Sequence, residues 1–250
     1  MDDLFTARLT ELAERAANRA CFCYTDFLDL AGQAAFSSIK KRLAYVEAVL
    51  FGGREGCERK MLRFGSPEEL GYDPGFPIRC LYARPMDERF STVHLTHRDY
   101  LGSLMALGIT RDLIGDIVVR DSAAWIFCEE HIAEYLCDSL VQAGRMALTV
   151  SQVDTPPEGE LFRLQEKQIQ LASNRVDAFL AAVCDVSRSE AQNLIKQEKV
   201  FRNGDACVSS SVSLTPGDIV SVRGFGRFRF ERENGVSRKG KLNLIVALYI

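Results

Sequence analysis

The chain has 250 residues, 47% of them hydrophobic and 26% charged, with a formal net charge of −3. That length allows one to three domains with buried cores, and this balance of apolar and charged residues excludes a chain that is disordered throughout. No window approaches the ~20 consecutive apolar residues that a bilayer-spanning helix requires, so no membrane partner is expected.

Residues 3–20 place Leu4, Ala7, Leu9, Leu12, Ala13, Ala16, Ala17 and Ala20 at helical spacing with charges between them, which predicts an amphipathic helix. Thr25-Asp26-Phe27-Leu28-Asp29 interrupts the pattern, and a second helix is expected from about Ala31 to Leu50. Gly52-Gly53 and Gly56 punctuate the chain, Arg59 to Phe64 alternates as a strand, and Gly65-Ser66-Pro67 and Asp73-Pro74-Gly75 bound a loop. Residues 1–75 therefore read as a helical or mixed N-terminal region.

From residue 76 to 153 the pattern is regular. Ile78–Ala83 and Ser91–Leu95 alternate as strands, and Thr96 with Asp99 three residues later starts a helix in the manner of a capping box. That helix runs to about Leu107. Ile117-Val118-Val119 and Trp125-Ile126-Phe127 read as short strands joined at Asp121-Ser122, followed by a helix from about Glu129 to Ala143 and a strand from Met146 to Val150. The order strand–helix–strand–strand–helix–strand predicts a ferredoxin-like βαββαβ domain, which RNA-recognition modules share with many enzymes and regulatory domains.

Thr155-Pro156-Pro157-Glu158-Gly159 reads as a linker, and Phe162 to Ala172 as an extended or mixed stretch whose element stays open. Helical spacing returns at Val176, Phe179, Leu180 and Val183, and Ser187 caps a helix from about Arg188 to Gln197. Strands are expected at Val200–Arg202, Ala206–Val208 and Ile219–Val222. A terminal hairpin of Phe228–Arg232 and Leu242–Tyr249 is expected to turn at Asn234-Gly235, because both residues tolerate positive φ. The fold class is α+β.

Charge is unevenly distributed. Residues 175–250 hold 12 Lys or Arg against 8 Asp or Glu, a net of +4, while the remainder holds 19 against 26, a net of −7. A basic end on an acidic chain points to a polyanionic partner. Arg188, Gln192 and Lys196 lie at i, i+4 and i+8 on one face of the capped helix, and Ala191, Leu194 and Ile195 lie on the other. Donors one helical turn apart, roughly 6 Å, match the spacing of phosphates along a nucleic-acid strand. Arg175 opens the preceding helix, and Lys199, Arg202 and Asn203 follow in the next turn and strand. Arg223, Phe225, Arg227 and Arg229 alternate with Gly224, Gly226, Phe228 and Phe230, so a continuous strand would gather the arginines on one face. Phe228 and Phe230 are expected in the hairpin core rather than under a base. The candidate RNA-binding set is therefore Arg175, Ser187, Arg188, Gln192, Lys196, Lys199, Arg202, Asn203, Arg223, Arg227 and Arg229. Arg232, Arg238, Lys239 and Lys241 extend the basic footprint. The bland alternative for such a face is a solvated surface.

The eight cysteines, at 21, 23, 57, 80, 128, 137, 184 and 207, are scattered through core-like sequence. With no basic segment leading into an apolar stretch at the N-terminus, they are expected to be reduced thiols in a cytoplasmic protein. Cys21 and Cys23 lack a second close pair, so no metal is expected. His97-Arg98-Asp99 reads as a helix start and not as an acid–base pair, since neighbouring helical residues diverge in direction. Gly102, Gly108 and Gly115 have neither Walker nor Rossmann spacing, so no cofactor is expected and no catalytic residue is named.

Two resemblances narrow the partner. Arg175-Val176-Asp177, Ser187-Arg188-Ser189, Asn203-Gly204 and Pro216-Gly217-Asp218 occur in the order of the S4 RNA-binding domain. That likeness spans about Asn174 to Val222, so residues 174–250 are expected to be an S4 domain with a C-terminal extension. Cys184-Asp185 and Glu198 depart from it, standing where that module often carries glycine or a small residue. Thr96-His97-Arg98-Asp99-Tyr100-Leu101-Gly102-Ser103-Leu104, Leu107-Gly108-Ile109 and Arg111, and Ile114-Gly115-Asp116-Ile117 resemble the middle domain of the YlmH family. Thr25–Asp29, Gly52-Gly53 with Glu55-Gly56, Glu58-Arg59-Lys60 and Val222–Phe228 fit the same family, so the resemblance covers nearly the whole chain. It implies a non-enzymatic RNA-binding protein, monomeric and cytoplasmic. It further implies binding to ribosomal RNA and tRNA on the large subunit, and a part in quality control of stalled peptidyl-tRNA complexes and in cell division. Two alternatives remain open. One is an RNA-modifying enzyme, because Arg175-Val176-Asp177 resembles the run around a pseudouridine synthase's catalytic carboxylate. The other is a cell-division adaptor whose first 150 residues bind protein.

Overall fold

A computed structural model describes residues 3–86, 94–154 and 162–249. The chain is mixed α+β and divides into two compact units, 1–161 and 162–250.

In the first unit, α1 (Asp3–Arg19) is followed by β1 (Cys23–Leu28), α2 (Leu30–Ile39), a 3₁₀ turn (Lys40–Leu43), β2 (Ala48–Phe51), β3 (Lys60–Phe64) and the short α3 (Pro67–Leu70). The apolar stripe of α1 buries Leu9, Ala13 and Ala16 against an antiparallel sheet in the order β1-β3-β2. Two expectations are corrected here. The interruption expected at Thr25–Asp29 falls largely within a strand, β1, and the buried Thr25 hydroxyl accepts the Leu62 N–H at 3.0 Å where the register shifts. The second helix stops at Ile39, not Leu50, because Ala48–Phe51 pair with β3 in register Ala48↔Phe64. A short apolar run satisfies helical and strand periodicity alike, so its partner decides.

The middle of the unit contains β4 (Ile78–Pro85), α4 (His97–Ala106), β5 (Ile114–Arg120), β6 (Ala123–Glu129), α5 (Glu130–Ser139), β7 (Gln142–Ala143) and β8 (Met146–Val153). The sheet order is β5-β6-β4-β8-β7, and every pair is antiparallel. Asp99 closes the N-terminus of α4 as expected, accepting the Thr96 N–H at 2.8 Å and the Thr96 hydroxyl at 2.6 Å. The β5–β6 reversal is at Asp121-Ser122, both with positive φ. Helix α5 ends at Ser139, short of the expected Ala143, because Gln142 and Ala143 pair back onto β8. The expected strand at Ser91–Leu95 falls mostly outside the described residues, as does the linker at Thr155–Gly159, and His94 and Leu95 belong to neither helix nor strand.

Three of the motifs that carry the family resemblance, at Gly53, Glu58-Arg59 and Asp116, tie these two sheets together. Asp116 on β5 accepts the Glu58 N–H at 2.5 Å and the Arg59 N–H at 3.1 Å. The Arg59 guanidinium donates to the carbonyls of Ile114, Phe27 and Arg111 at 2.9, 2.9 and 3.1 Å. Gly53 lies so close to β6 that a Cβ there would come within 2.5 Å of the Phe127 ring.

The second unit is a six-stranded antiparallel sheet backed by two helices. Its elements are β9 (Leu164–Leu171), α6 (Val176–Val183), α7 (Arg188–Lys196), β10 (Val200–Arg202), β11 (Asp205–Ala206), β12 (Ile219–Val222), β13 (Gly226–Val236) and β14 (Leu242–Tyr249). The order is β11-β10-β12-β13-β14-β9. The stretch left open at Phe162–Ala172 is therefore a strand that pairs with β14 from Leu171↔Leu242 to Leu164↔Tyr249, and the unit begins before the expected residue 174. The chain does not reverse at Asn234-Gly235. Those residues lie inside β13 at a register irregularity, Gly235 has φ +79, and the reversal is at Ser237–Lys241, where the Ser237 N–H reaches the Lys241 carbonyl at 2.7 Å. The positive φ that suits Asn-Gly to a hairpin turn suits it equally to a bulge. Asp185 and Glu198 both have φ +55, which explains why glycine would fit those positions. Phe179 and Phe230 are fully buried, with Ala191 and Ile195 of α7 packed into the same core. Truncating either phenylalanine to alanine would cost roughly 3–5 kcal/mol.

Candidate nucleic-acid interface

Helices α6 and α7 meet at one buried carboxylate. Asp177, in the first turn of α6, has a side chain only 1% exposed. Arg175 grips it with two nitrogens, Nε to Oδ1 at 3.1 Å and Nη2 to Oδ2 at 3.2 Å. Arg188 Nη2 reaches both oxygens at 3.2 and 3.1 Å, and Gln192 Nε2 donates to Oδ2 at 3.2 Å. The i, i+4 spacing of Arg188 and Gln192 on α7 is what brings both to the same acceptor. Burial pushes the Asp177 carboxyl up, but donation from Arg175, Gln192 and Arg188 outweighs it and holds the group at about 2. The side chains of Arg175 and Arg188 remain 39% and 55% exposed, so each is held by Asp177 while staying partly open to solvent.

Around this node the candidates divide. Lys196, in the last turn of α7, and Lys199, in the turn after it, are exposed. The Lys199 carbonyl accepts the Arg223 N–H at 2.9 Å, which sets the β12–β13 turn beside them. The Arg223 guanidinium lies 5.4 Å over the Phe201 ring, and Phe225 in the same turn is 44% exposed. The Ser187 hydroxyl is committed to its helix, bonding Glu190 Oε2 at 2.8 Å in a capping box. A second buried carboxylate, Asp218, takes Arg202 at 2.7 Å and Asn203 Nδ2 at 2.8 Å, while Asn203 Oδ1 accepts the Ile219 N–H at 2.8 Å. Burial raises the Asp218 carboxyl, and donation from Arg202, Thr215 and Asn203 brings it below its usual range. Arg202 and Asn203 thus pin the β10–β11 turn to the start of β12.

The arginine tail is not one continuous strand. Residues 223–225 are a turn and β13 begins at Gly226, so Arg223 and Phe225 are not on the strand face that carries Arg227 and Arg229. Phe228 and Phe230 point into the helix-backed core as expected, which puts Arg227 and Arg229 on the opposite side of the sheet from α6 and α7. There Arg229 Nε meets Glu231 at 2.5 Å, and the Arg227 guanidinium lies 4.5 Å from the Tyr249 ring centroid. The basic residues expected on one face therefore lie on two: α6–α7 with its following turns, and the face of β13 that carries Arg227 and Arg229. Asp177 and Asp218 were not among the candidate residues. The visible signal for them was an acid two residues after Arg175 and another directly after Pro216-Gly217.

Among the described residues no helix is long and apolar enough to cross a membrane. Residues 81–156 match the family model described as "Putative RNA-binding domain in YlmH". The chain is 30% identical over 223 residues to the ribosome-associated protein quality control protein P2 of Bacillus subtilis (strain 168), covering 87% of this chain and 83% of that protein. It is also similar to a solved structure, the cell division protein ylmH from Streptococcus pneumoniae. That match has 20% identity and a TM-score of 0.47, and covers 60% of this chain and 88% of that one.

Proposed function

Because this chain belongs to the YlmH family, we propose that it is a non-enzymatic RNA-binding protein that holds ribosomal RNA, with tRNA beside it, on the large ribosomal subunit. Its task on this reading is ribosome-associated quality control, as the name of the Bacillus subtilis relative suggests. The protein acts as a cytoplasmic monomer without a cofactor. Residues 162–249 serve as an S4-type grip, and residues 78–153 as a ferredoxin-like RNA-binding domain.

One observation carries the reading: the buried Asp177 pre-orients Arg175, Arg188 and Gln192 within a basic segment that also exposes Lys196 and Lys199. Pre-oriented, partly exposed guanidiniums suit phosphate and ribose contacts, because less side-chain entropy is lost on binding. The same burial argues against Asp177 as a catalytic carboxylate, since three side chains occupy it. The test is RNA binding against salt, with a ribosomal RNA fragment and the full chain. Affinity should fall with salt at a slope of roughly −0.7 to −0.9 per neutralised phosphate, and Arg188→Ala with Lys196→Ala should flatten that slope. Sedimentation with free large subunits is expected. Salt-insensitive binding, or a modified base after incubation with ribosomal RNA, would overturn the reading.

A further inference from the structure

The middle sheet has two unlike sides. Leu81, Ala83, Ala124 and Ile126 face α4 and α5 and join their core. By strand alternation, Tyr82 and Trp125 lie on the other side. They are direct cross-strand partners on the adjacent strands β4 and β6, with ring centroids 4.9 Å apart and planes tilted by 36°. Both rings are half-buried. One end of this side is closed by the N-terminal sheet, where Phe127 meets the Gly53 backbone. Toward the other end, Arg120 places its guanidinium 5.8 Å from the Trp125 ring, and Arg84 is exposed two residues after Tyr82. On the neighbouring β8, Ser151 and Thr149 stand opposite Tyr82 and Arg84, and both are exposed. Arg120 Nε is buried without a hydrogen-bond partner among the described residues.

We propose that Tyr82 and Trp125 form a base-stacking platform for single-stranded RNA, with Arg84 and Arg120 taking the adjoining phosphates. This names a second contact within the RNA-binding reading above and rests on it. Two large aromatics outside the core, beside two arginines, give up burial that an aliphatic pair on the inner face would gain. The combination matches what a nucleotide offers, a flat π-face flanked by negative charge. A four-stranded sheet that stacks bases on aromatics of its central strands is an established way to read single-stranded RNA. Here β4 and β6 are the central strands of β5-β6-β4-β8. Serine and threonine on β8 leave the aromatic rings unshadowed from that side. The two arginines supply the charge complementarity that favours RNA over an apolar peptide.

Trp125 is the only tryptophan in the chain, so its emission reports this platform directly. The full chain is titrated with an unstructured ten-nucleotide RNA, reading emission and, with a labelled copy, anisotropy. Quenching should track binding, and it should persist at saturating RNA in the Arg188→Ala, Lys196→Ala variant. Trp125→Ala should weaken binding by roughly ten-fold, whereas Tyr82→Phe, which keeps the ring, should stay within about two-fold of the parent. Arg84→Ala, a surface change that does not endanger the fold, should reduce the salt slope by about 0.7. Binding without any change in Trp125 emission, an unchanged slope in Arg84→Ala, or quenching by an arbitrary apolar peptide but not by RNA would each overturn the platform. The first two outcomes leave the C-terminal grip standing. No RNA binding by either readout would remove both.

Discussion

Two carboxylates, one in each unit, behave oppositely. In residues 162–249 Asp177 is met by Arg175, Arg188 and Gln192 and is held at about 2. In residues 3–154 Glu129, with a side chain 13% exposed, is pushed up to about 7 by burial and by its acidic neighbours Asp26 and Asp112. The His131 Nδ1 lies 3.2 Å from Glu129, but that imidazole is 64% exposed and relieves the site only when protonated. The same chemical group therefore organises cations at one end of the chain and stores charge repulsion at the other. The cause is the company each carboxylate keeps: Asp177 is met by two arginines and a glutamine, whereas Glu129 lies near the acids Asp26 and Asp112.

The sharpest way to break this comparison is Asp177→Asn. Holding a buried carboxyl at about 2 instead of 3.8 contributes about 2 kcal/mol near neutral pH. The variant should lose about that much stability, seen as faster hydrogen exchange over residues 176–196. Its RNA affinity should fall roughly ten-fold, about 1.4 kcal/mol, through loss of ordered donors, although its net charge rises by one. Tighter binding would mean the cations act as bulk charge. Because the folded carboxyl is depressed, its contribution is present above pH 4 and lost as pH falls toward 2, so the two proteins should converge in that window.

Glu129→Gln tests the other side with the opposite sign. A carboxyl raised from 4.5 to about 7 costs the parent stability as pH rises through that interval. The variant should therefore be more stable by roughly 1–2 kcal/mol at pH 8, with no advantage below pH 4.5, in urea melts followed by Trp125 emission. No gain at pH 8 would mean that solvent already compensates Glu129.

Lys196→Ala and Lys199→Ala probe exposed charge without an ordering carboxylate. Each should reduce the salt slope of RNA binding by about 0.7 while leaving stability within about 0.5 kcal/mol. The smallest effect on RNA binding is expected from Glu198→Gly. Glu198 sits at φ +55, where glycine is less strained, so the change should add up to about 1 kcal/mol and slightly tighten RNA binding by removing an acid between two lysines.

Much of this was legible in the sequence because it is local. The Ser187-x-x-Glu190 and Thr96-x-x-Asp99 caps, the Asp121-Ser122 and Asn203-Gly204 reversals and the core placement of Phe228 and Phe230 follow from spacing and backbone preference within a few residues. The helical face of Arg188, Gln192 and Lys196 belongs to the same class. What failed were segments whose role depends on a distant partner. Ala48–Phe51 became a strand because β3 was there to pair with, and Asn234-Gly235 became a bulge because β13 runs on beyond it; Phe162–Ala172, open between extended and mixed in the sequence, was settled as a strand by β14.

The sequence by itself determined the polarity of this protein, a basic end on an acidic chain, together with its capped helices and its family motifs. Only the tertiary structure decided what those charges do. It buried Asp177 between two helices and so turned Arg175, Arg188 and Gln192 into an oriented set. It put Arg227 and Arg229 on the far side of a sheet from them, and it brought Tyr82 and Trp125 side by side across two strands. The physical reason is range. Backbone preferences and caps act over three or four residues, whereas desolvation and strand pairing depend on groups tens of residues apart, which no local pattern records.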